Sequence, residues 1–274
     1  PKGRIFLQPD QKQAEARVVA YYAKCKKQIE LFNDASRSIH LEFGSKVFKR
    51  QLSKDTPEYT AAKSGVHGGN FRMQADKLAK TTGVPVVTCE LAIDGYHSTY
   101  PEIRLNYHNW AKAEVLNKGY LINSFGLKRL FFHARGGVEL TGKLSDDDWN
   151  DICSWLPQST VPFITNMTLM RVCDILDYIW IHQQGHDAFL ISVPEGCEKE
   201  CSDLIISEGN KISCMIKGNK LIIPWEMTMG YNWGQMYERY DSYSRADWTA
   251  DVEESKRKGK YSGTEVIKGI YGIL

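Results

Sequence analysis

The order of apolar and polar positions divides the chain into strand-like ends and a helix-like middle. Residues 3–7, GRIFL, form a short apolar run that stops at Gln8-Pro9-Asp10 and predicts a strand. Residues 13–32, QAEARVVAYYAKCKKQIELF, return apolar side chains at Val18, Val19, Tyr22, Ile29 and Phe32, which predicts one helix. A second helical stretch is expected over 34–53, with a turn near Gly44. Pro57, suited to a first helical turn, opens one or two helices that end at Gly83. Residues 101–120 predict a long amphipathic helix from Pro101 to about Gly119, and 121–133 a small hairpin turning at Gly126. SDDDW, 145–149, places carboxylates where they favour a helix start, and 160–176 predict a further helix. Strands are expected at 178–183 and 188–193, and over 207–225 with Gly218-Asn219 as a turn. After Asp241 the chain turns polar and charged, with DVEESKRKGK at 251–260, as expected of a tail or surface extension over 241–274. Strands at both ends with helices between them predict an α+β fold, a small antiparallel sheet carrying a largely helical insertion.

Composition acts mainly by exclusion. The chain has 274 residues, 42% hydrophobic and 25% charged, the profile of an ordinary globular protein. No apolar run is long enough for a membrane span, so no membrane partner is expected. The net charge of +2 means that contact with nucleic acid has to come from local basic patches. Seven cysteines in no disulfide spacing suit a reducing, cytoplasmic compartment. Cys197-x3-Cys201 lacks the second pair that structural zinc needs.

The candidate chemistry lies in two places. Asp10 ends the first strand, and Asp187 sits in the turn QGHD between two late strands. If a sheet built from both chain ends joined them, their mutual repulsion would call for cations, and hard oxygen donors suit Mg2+. Taken alone, an aspartate in a turn such as Asp187 is usually an ordinary turn former. Lys63, His67 and Phe71 recur at four-residue spacing on one helical face, offering a cation, a polar ring and a flat aromatic surface to a nucleotide. Gly68 and Gly69 beside them would allow the backbone to approach a ligand closely. The plain alternative is a marginal helix with a solvated lysine.

QPDQKQAEAR, 8–17, resembles motif A of family A DNA polymerases, the DNA polymerase I family, with its pattern D-Y-S-Q-I-E-L-R. KSGVHGGNFRM, 63–73, resembles motif B in its bacteriophage form, K-x-x-x-H-G-x-N-Y-G-M, and QGHDAF, 184–189, resembles motif C, Q-x-H-D-E. The motifs stand in the family's order. Landmarks between and after them also resemble the family's: SIH at 38–40, Tyr100-Pro101, Gly126-Leu127-Lys128-Arg129, LPQST at 156–160 and IIPWEMTMGYNWGQM at 222–236.

The resemblance implies a polymerase palm over 1–36 and 125–240 and fingers over 37–124. It implies dNTP and DNA primer–template as partners and two Mg2+ ions on Asp10 and Asp187. Lys63 would be catalytic, neutralising the departing pyrophosphate. Gln13, Glu15, His40, Lys63, His67 and Phe71 would contact the nucleotide, Glu15 as the steric gate against a ribose 2′-hydroxyl. Arg17, Lys128, Arg129, Gln158, Gln184 and His186 would serve the DNA. Family members carry a thumb, and often a 3′–5′ exonuclease, ahead of motif A. Both are expected to be absent from this chain and to come from an N-terminal portion or a separate chain, without which DNA binding would be weak and distributive. Departures stand at Tyr59 for arginine, Phe71 for tyrosine, Arg72 for glycine, Ser38 for aspartate and Ala188 for the glutamate of motif C, with Arg50 or Lys54 as substitute phosphate contacts. Two other readings stay open: a non-catalytic DNA-binding or assembly subunit that kept the fold, and a single-subunit RNA polymerase, against which Glu15 speaks.

Overall fold

A computed structural model describes residues 3–34, 36–53, 55–233 and 237–238. The expected tail over 241–274 and Lys54 lie outside the described residues. In chain order the strands are β1 (Arg4–Gln11), β2 (Tyr120–Ile122), β3 (Lys128–Leu130), β4 (Trp180–Gln184), β5 (Phe189–Pro194), β6 (Cys214–Ile216), β7 (Asn219–Leu221), β8 (Trp225–Gly230) and β9 (Tyr237–Glu238). The helices are α1 (Ala14–Ala23), α2 (Lys26–Asn33), α3 (Ile39–Val47), α4 (Pro57–Asn70), α5 (Ala75–Thr82), α6 (Val86–Thr99), α7 (Asn109–Lys118), α8 (Phe132–Thr141), α9 (Asp146–Ile175) and α10 (Glu198–Lys211), with a π-helical segment at Ile103–His108. The α+β expectation holds.

The chain forms two compact units. The first comprises, among the described residues, 3–12, 161–213, 222–233 and 237–238. Its described part is a five-stranded antiparallel sheet in the order β4-β5-β1-β8-β9, with α10 packed against β1, β5 and β8. Strand β1 alternates strictly, with Ile5, Leu7 and Gln11 buried and Phe6, Gln8 and Asp10 on the opposite face. The approach of α10 is close: a Cβ on Gly209 would lie 2.1 Å from Trp225 Nε1.

The second unit comprises 13–160 and 214–221 and is mainly helical, with the hairpins β2–β3 and β6–β7. Helices α4, α5 and α6 bury a cluster of Ala61, Leu78, Val84, Cys89, Ala92 and Ile93.

Several expected elements are corrected. The helix expected over 13–32 is two, because Lys24 takes a left-handed conformation (φ 52°) that closes α1. Gly44 makes no turn. It lies inside α3, where a Cβ would stand 2.6 Å from Leu52 Cδ1 and 2.8 Å from Ala62 Cβ. The two helices expected around 145–176 are the single α9, which runs through Pro157. Proline cannot donate to the carbonyl four residues back. That carbonyl, on Cys153, accepts instead from the Tyr107 hydroxyl at 2.5 Å. Residues 207–211 belong to α10 rather than to a strand, and the β6–β7 turn falls on Lys217-Gly218, both at positive φ.

Candidate active site

The acidic site follows from the strand period. Asp10 lies on the β1 face away from Leu7, opposite Glu226 of β8 in register, and bridges to Ala188. The Gln11 N–H donates to the Asp187 carbonyl at 2.9 Å, which ties β1 to the QGHD turn. Within that turn the Gly185 N–H donates to the Ala188 carbonyl at 2.8 Å. The Thr165 hydroxyl accepts from Gln11 Nε2 at 2.6 Å and lies 3.0 Å from the His186 carbonyl, fixing the turn from the side. Burial, then the charge of Asp187, then that of Glu226 push the Asp10 carboxyl up to about 7. A divalent cation would relieve that cost, and hard carboxylate oxygens are what Mg2+ takes. Among the described residues no group of three His, Cys, Asp or Glu is gathered to hold a metal.

Glu226 escaped the sequence reading. Its signal was present: Trp225, Met227 and Met229 are buried in alternation, which sets Glu226 on the face of Asp10. Its carboxylate is engaged by Lys12 Nζ at 2.7 Å.

In the helical unit, Thr56 caps α4, its hydroxyl accepting from the Tyr59 N–H, and Pro57 begins the helix. Lys63 and His67 are exposed on α4, while Phe71 follows its end and is buried, with the His67 and Phe71 rings edge-on at 5.1 Å. His67 Nδ1 lies 3.7 Å from Glu15 Oε2 on α1. His40 meets Tyr59 edge-on at 6.4 Å, and burial, then Lys63 and His67, lower its pKa to about 4. Gly68 and Gly69 serve packing rather than ligand approach: a Cβ on Gly69 would lie 2.3 Å from Tyr96 Cδ1, and one on Gly68 3.0 Å from Met73 Cβ. Arg50, expected as a substitute phosphate contact, pairs with Glu58 at 2.6 Å.

The remaining residues are placed as follows. Gln13 takes a left-handed conformation (φ 52°) just before α1. Arg17 is buried, its Nη2 donating to the Phe32 carbonyl at 2.5 Å. Lys128 lies over the Tyr120 ring at 3.9 Å. Arg129 forms a two-pronged pair with Asp151. Gln158, Gln184 and His186 are exposed, on α9, at the end of β4 and in the turn. No described helix is long and apolar enough to cross a membrane.

Comparison with known proteins adds the lineage. The chain is 28% identical over 192 residues to a DNA polymerase of Mycobacterium phage D29, an alignment covering 70% of this chain and 29% of that protein. It is 32% identical over 122 residues to DNA polymerase I of Borreliella burgdorferi, covering 43% and 13%. It thus spans less than a third of these curated relatives. Its fold is similar to the POL domain of Pol1 from M. smegmatis, solved in complex with DNA primer-template and dNTP, with TM-score 0.67 and 19% identity over 85% of this chain and 40% of that one. These relatives are DNA polymerases, which sets the RNA polymerase reading aside, and none of them supports a separate N-terminal chain. The family profile for DNA polymerase family A matches residues 1–235, so the chain belongs to the family A DNA polymerases.

Proposed function

We propose that this chain carries the nucleotidyl-transfer centre of a template-directed DNA polymerase, with DNA primer–template and dNTP as partners. The observation that carries the reading is the meeting of Asp10 and Asp187, from distant parts of the chain, where β1 adjoins the QGHD turn. Asp10 and Asp187 would hold two Mg2+ ions, which when bound would stabilise charge on the attacking and leaving oxygens. The primer 3′-oxygen forms its bond to the α-phosphorus as the bond to the bridging oxygen breaks and pyrophosphate leaves. Lys63, exposed on α4, neutralises the departing phosphates, an electrostatic role that depends on fixed placement.

His40 joins Lys63 on the triphosphate. His67 lies against the nucleotide, Phe71 against the template base, and Glu15 excludes a 2′-hydroxyl, with Gln13 beside it. Arg17, buried against α2, supports this network from within rather than touching DNA. Gln158, Gln184 and His186 follow the minor groove and primer end, where polar side chains can check base-pair shape without reading sequence. Lys128 and Arg129 take the template. Palm (1–36, 125–240) and fingers (37–124) name roles on the DNA, not the two compact units.

Primer extension in Mg2+ by the active polypeptide tests the reading. Asp187→Ala is expected to lower the rate at least a hundredfold with primer–template affinity retained, a loss of the size expected when transition-state charge goes uncompensated. Extension at the parent rate by Asp187→Ala would overturn the assignment of Asp187 to the catalytic centre, and absence of extension by the parent polypeptide would leave a non-catalytic DNA-binding role as the better account.

A further inference from the structure

Lys12 and Glu226 form an ion pair on the carboxylate face of the sheet that no step above uses. Strand alternation puts them there. Gln11 is buried on one face of β1, so Asp10 before it and Lys12 after it turn to the other. The Lys12 N–H donates to the Pro224 carbonyl at 2.8 Å, which carries the pairing with β8 one residue past the end of β1. On β8 the buried Trp225 and Met227 leave Glu226 on the face of Asp10.

Asp10 and Glu226 stand opposite each other in register. Side chains so paired have Cβ atoms about 4.5–5.5 Å apart, well inside the ~10 Å over which 0.1 M salt screens a charge. Like charges in that relation weaken a sheet, so a glutamate opposite an aspartate is a poor choice for stability. The ion pair offsets little of that cost to the fold. Its lysine is 27% exposed and its glutamate 46% exposed, and ion pairs open to water contribute little. What the arrangement does supply is a controlled field beside Asp10.

The two charges act on that field in opposite directions. Glu226 by itself draws a cation toward Asp10, and Lys12 by itself repels one. Held 2.7 Å apart, they largely cancel at the distance of a neighbouring ion. Glu226 is not gathered with Asp10 and Asp187 into a set of three donors among the described residues. Its influence therefore runs through space rather than through a bond to the ion. Ala188, which Asp10 meets on the side away from β8, brings no side-chain charge of its own.

We propose that Lys12 and Glu226 are positioning residues that set the divalent-cation affinity of Asp10, Glu226 drawing the ion and Lys12 masking that pull. This rests on Asp10 and Asp187 being the cation site described under the proposed function.

The full chain is titrated with Mn2+, a paramagnetic substitute for Mg2+, and the bound fraction is read by electron paramagnetic resonance at low ionic strength. Asp10→Asn identifies the binding that belongs to the site. Lys12→Gln should tighten that binding about threefold, and Glu226→Gln should weaken it about threefold. Both side chains are partly exposed, so both variants are expected to fold. The double variant, Lys12→Gln with Glu226→Gln, has the parent's net charge and should return to within about twofold of the parent. Both single shifts should shrink in about 1 M KCl, where charges are screened beyond ~3 Å. A pair that only braced the sheet would weaken binding in both single variants or in neither. Shifts of the same sign, or no shift, overturn the proposal and leave the cation site standing. Mn2+ binding that survives Asp10→Asn overturns the cation site itself, and the proposal with it.

Discussion

Asp10 shows how neighbours set the behaviour of a single carboxyl. Its pKa of about 7 in the fold exceeds its ordinary 3.8, so the folded chain binds a proton more tightly than the unfolded chain does. The stability linked to that proton is fully present below about pH 4 and is lost as pH rises through about 7. In EDTA, Asp10→Asn should therefore raise the thermal midpoint by about 2–4 °C above pH 7, with the gain fading toward pH 4. Thermal unfolding at a series of pH values checks this, and a gain independent of pH would show that the cost of the charged carboxylate, from burial first and then from Asp187 and Glu226, is not its source. Asp10 and Asp187 could be singled out from their positions at a strand end and in a turn. Glu226 was no less patterned, but it gains meaning only from the strand that lies beside it.

At the scale of elements, helix α4 meets α6 through small residues. The Tyr96 hydroxyl donates to Asn70 at 2.5 Å and accepts from Gln28 at 2.9 Å, so the ring cannot swing away from Gly69. Gly69→Ala would gain about 1 kcal/mol of helix propensity. It would force a Cβ to 2.3 Å from that ring, an overpacking cost of about 1–3 kcal/mol or more. The clash is expected to win, and urea unfolding should show a lower midpoint. Helix α6 itself was legible in principle, since Cys89, Ala92, Ile93 and Tyr96 fall at helical spacing. Helix α10 was hidden because Ser202 and Glu208 occupy buried positions where apolar residues would have marked the face.

Over the whole molecule, the sheet joins the first strand to strands from 180–238. Strand β1 is central, hydrogen-bonded to β5 on one side and β8 on the other. Leu7, fully buried there, is paired in register with Ile191 and Met229. Leu7→Ala should cost about 2–5 kcal/mol. Hydrogen exchange should then quicken in 189–194 and 225–230 together, because both strands lean on β1. Protection lost in only one of them would argue against β1 as the common support.

The sequence by itself determined the local grammar. The apolar alternation around Asp10, the QGHD turn, Pro57 at a helix start, and Gly83 and Gly119 at helix ends were all readable, because each depends on interactions within a few residues. The ordered motifs also carried the family, since the residue types of its chemistry survive as a linear pattern. Tertiary structure alone decided that Asp10 lies against Ala188 and Glu226, and that α9 runs on past Pro157 because Tyr107 takes up the freed carbonyl. Those outcomes depend on contacts between residues distant along the chain, whose energies exist only once the loops between them have closed.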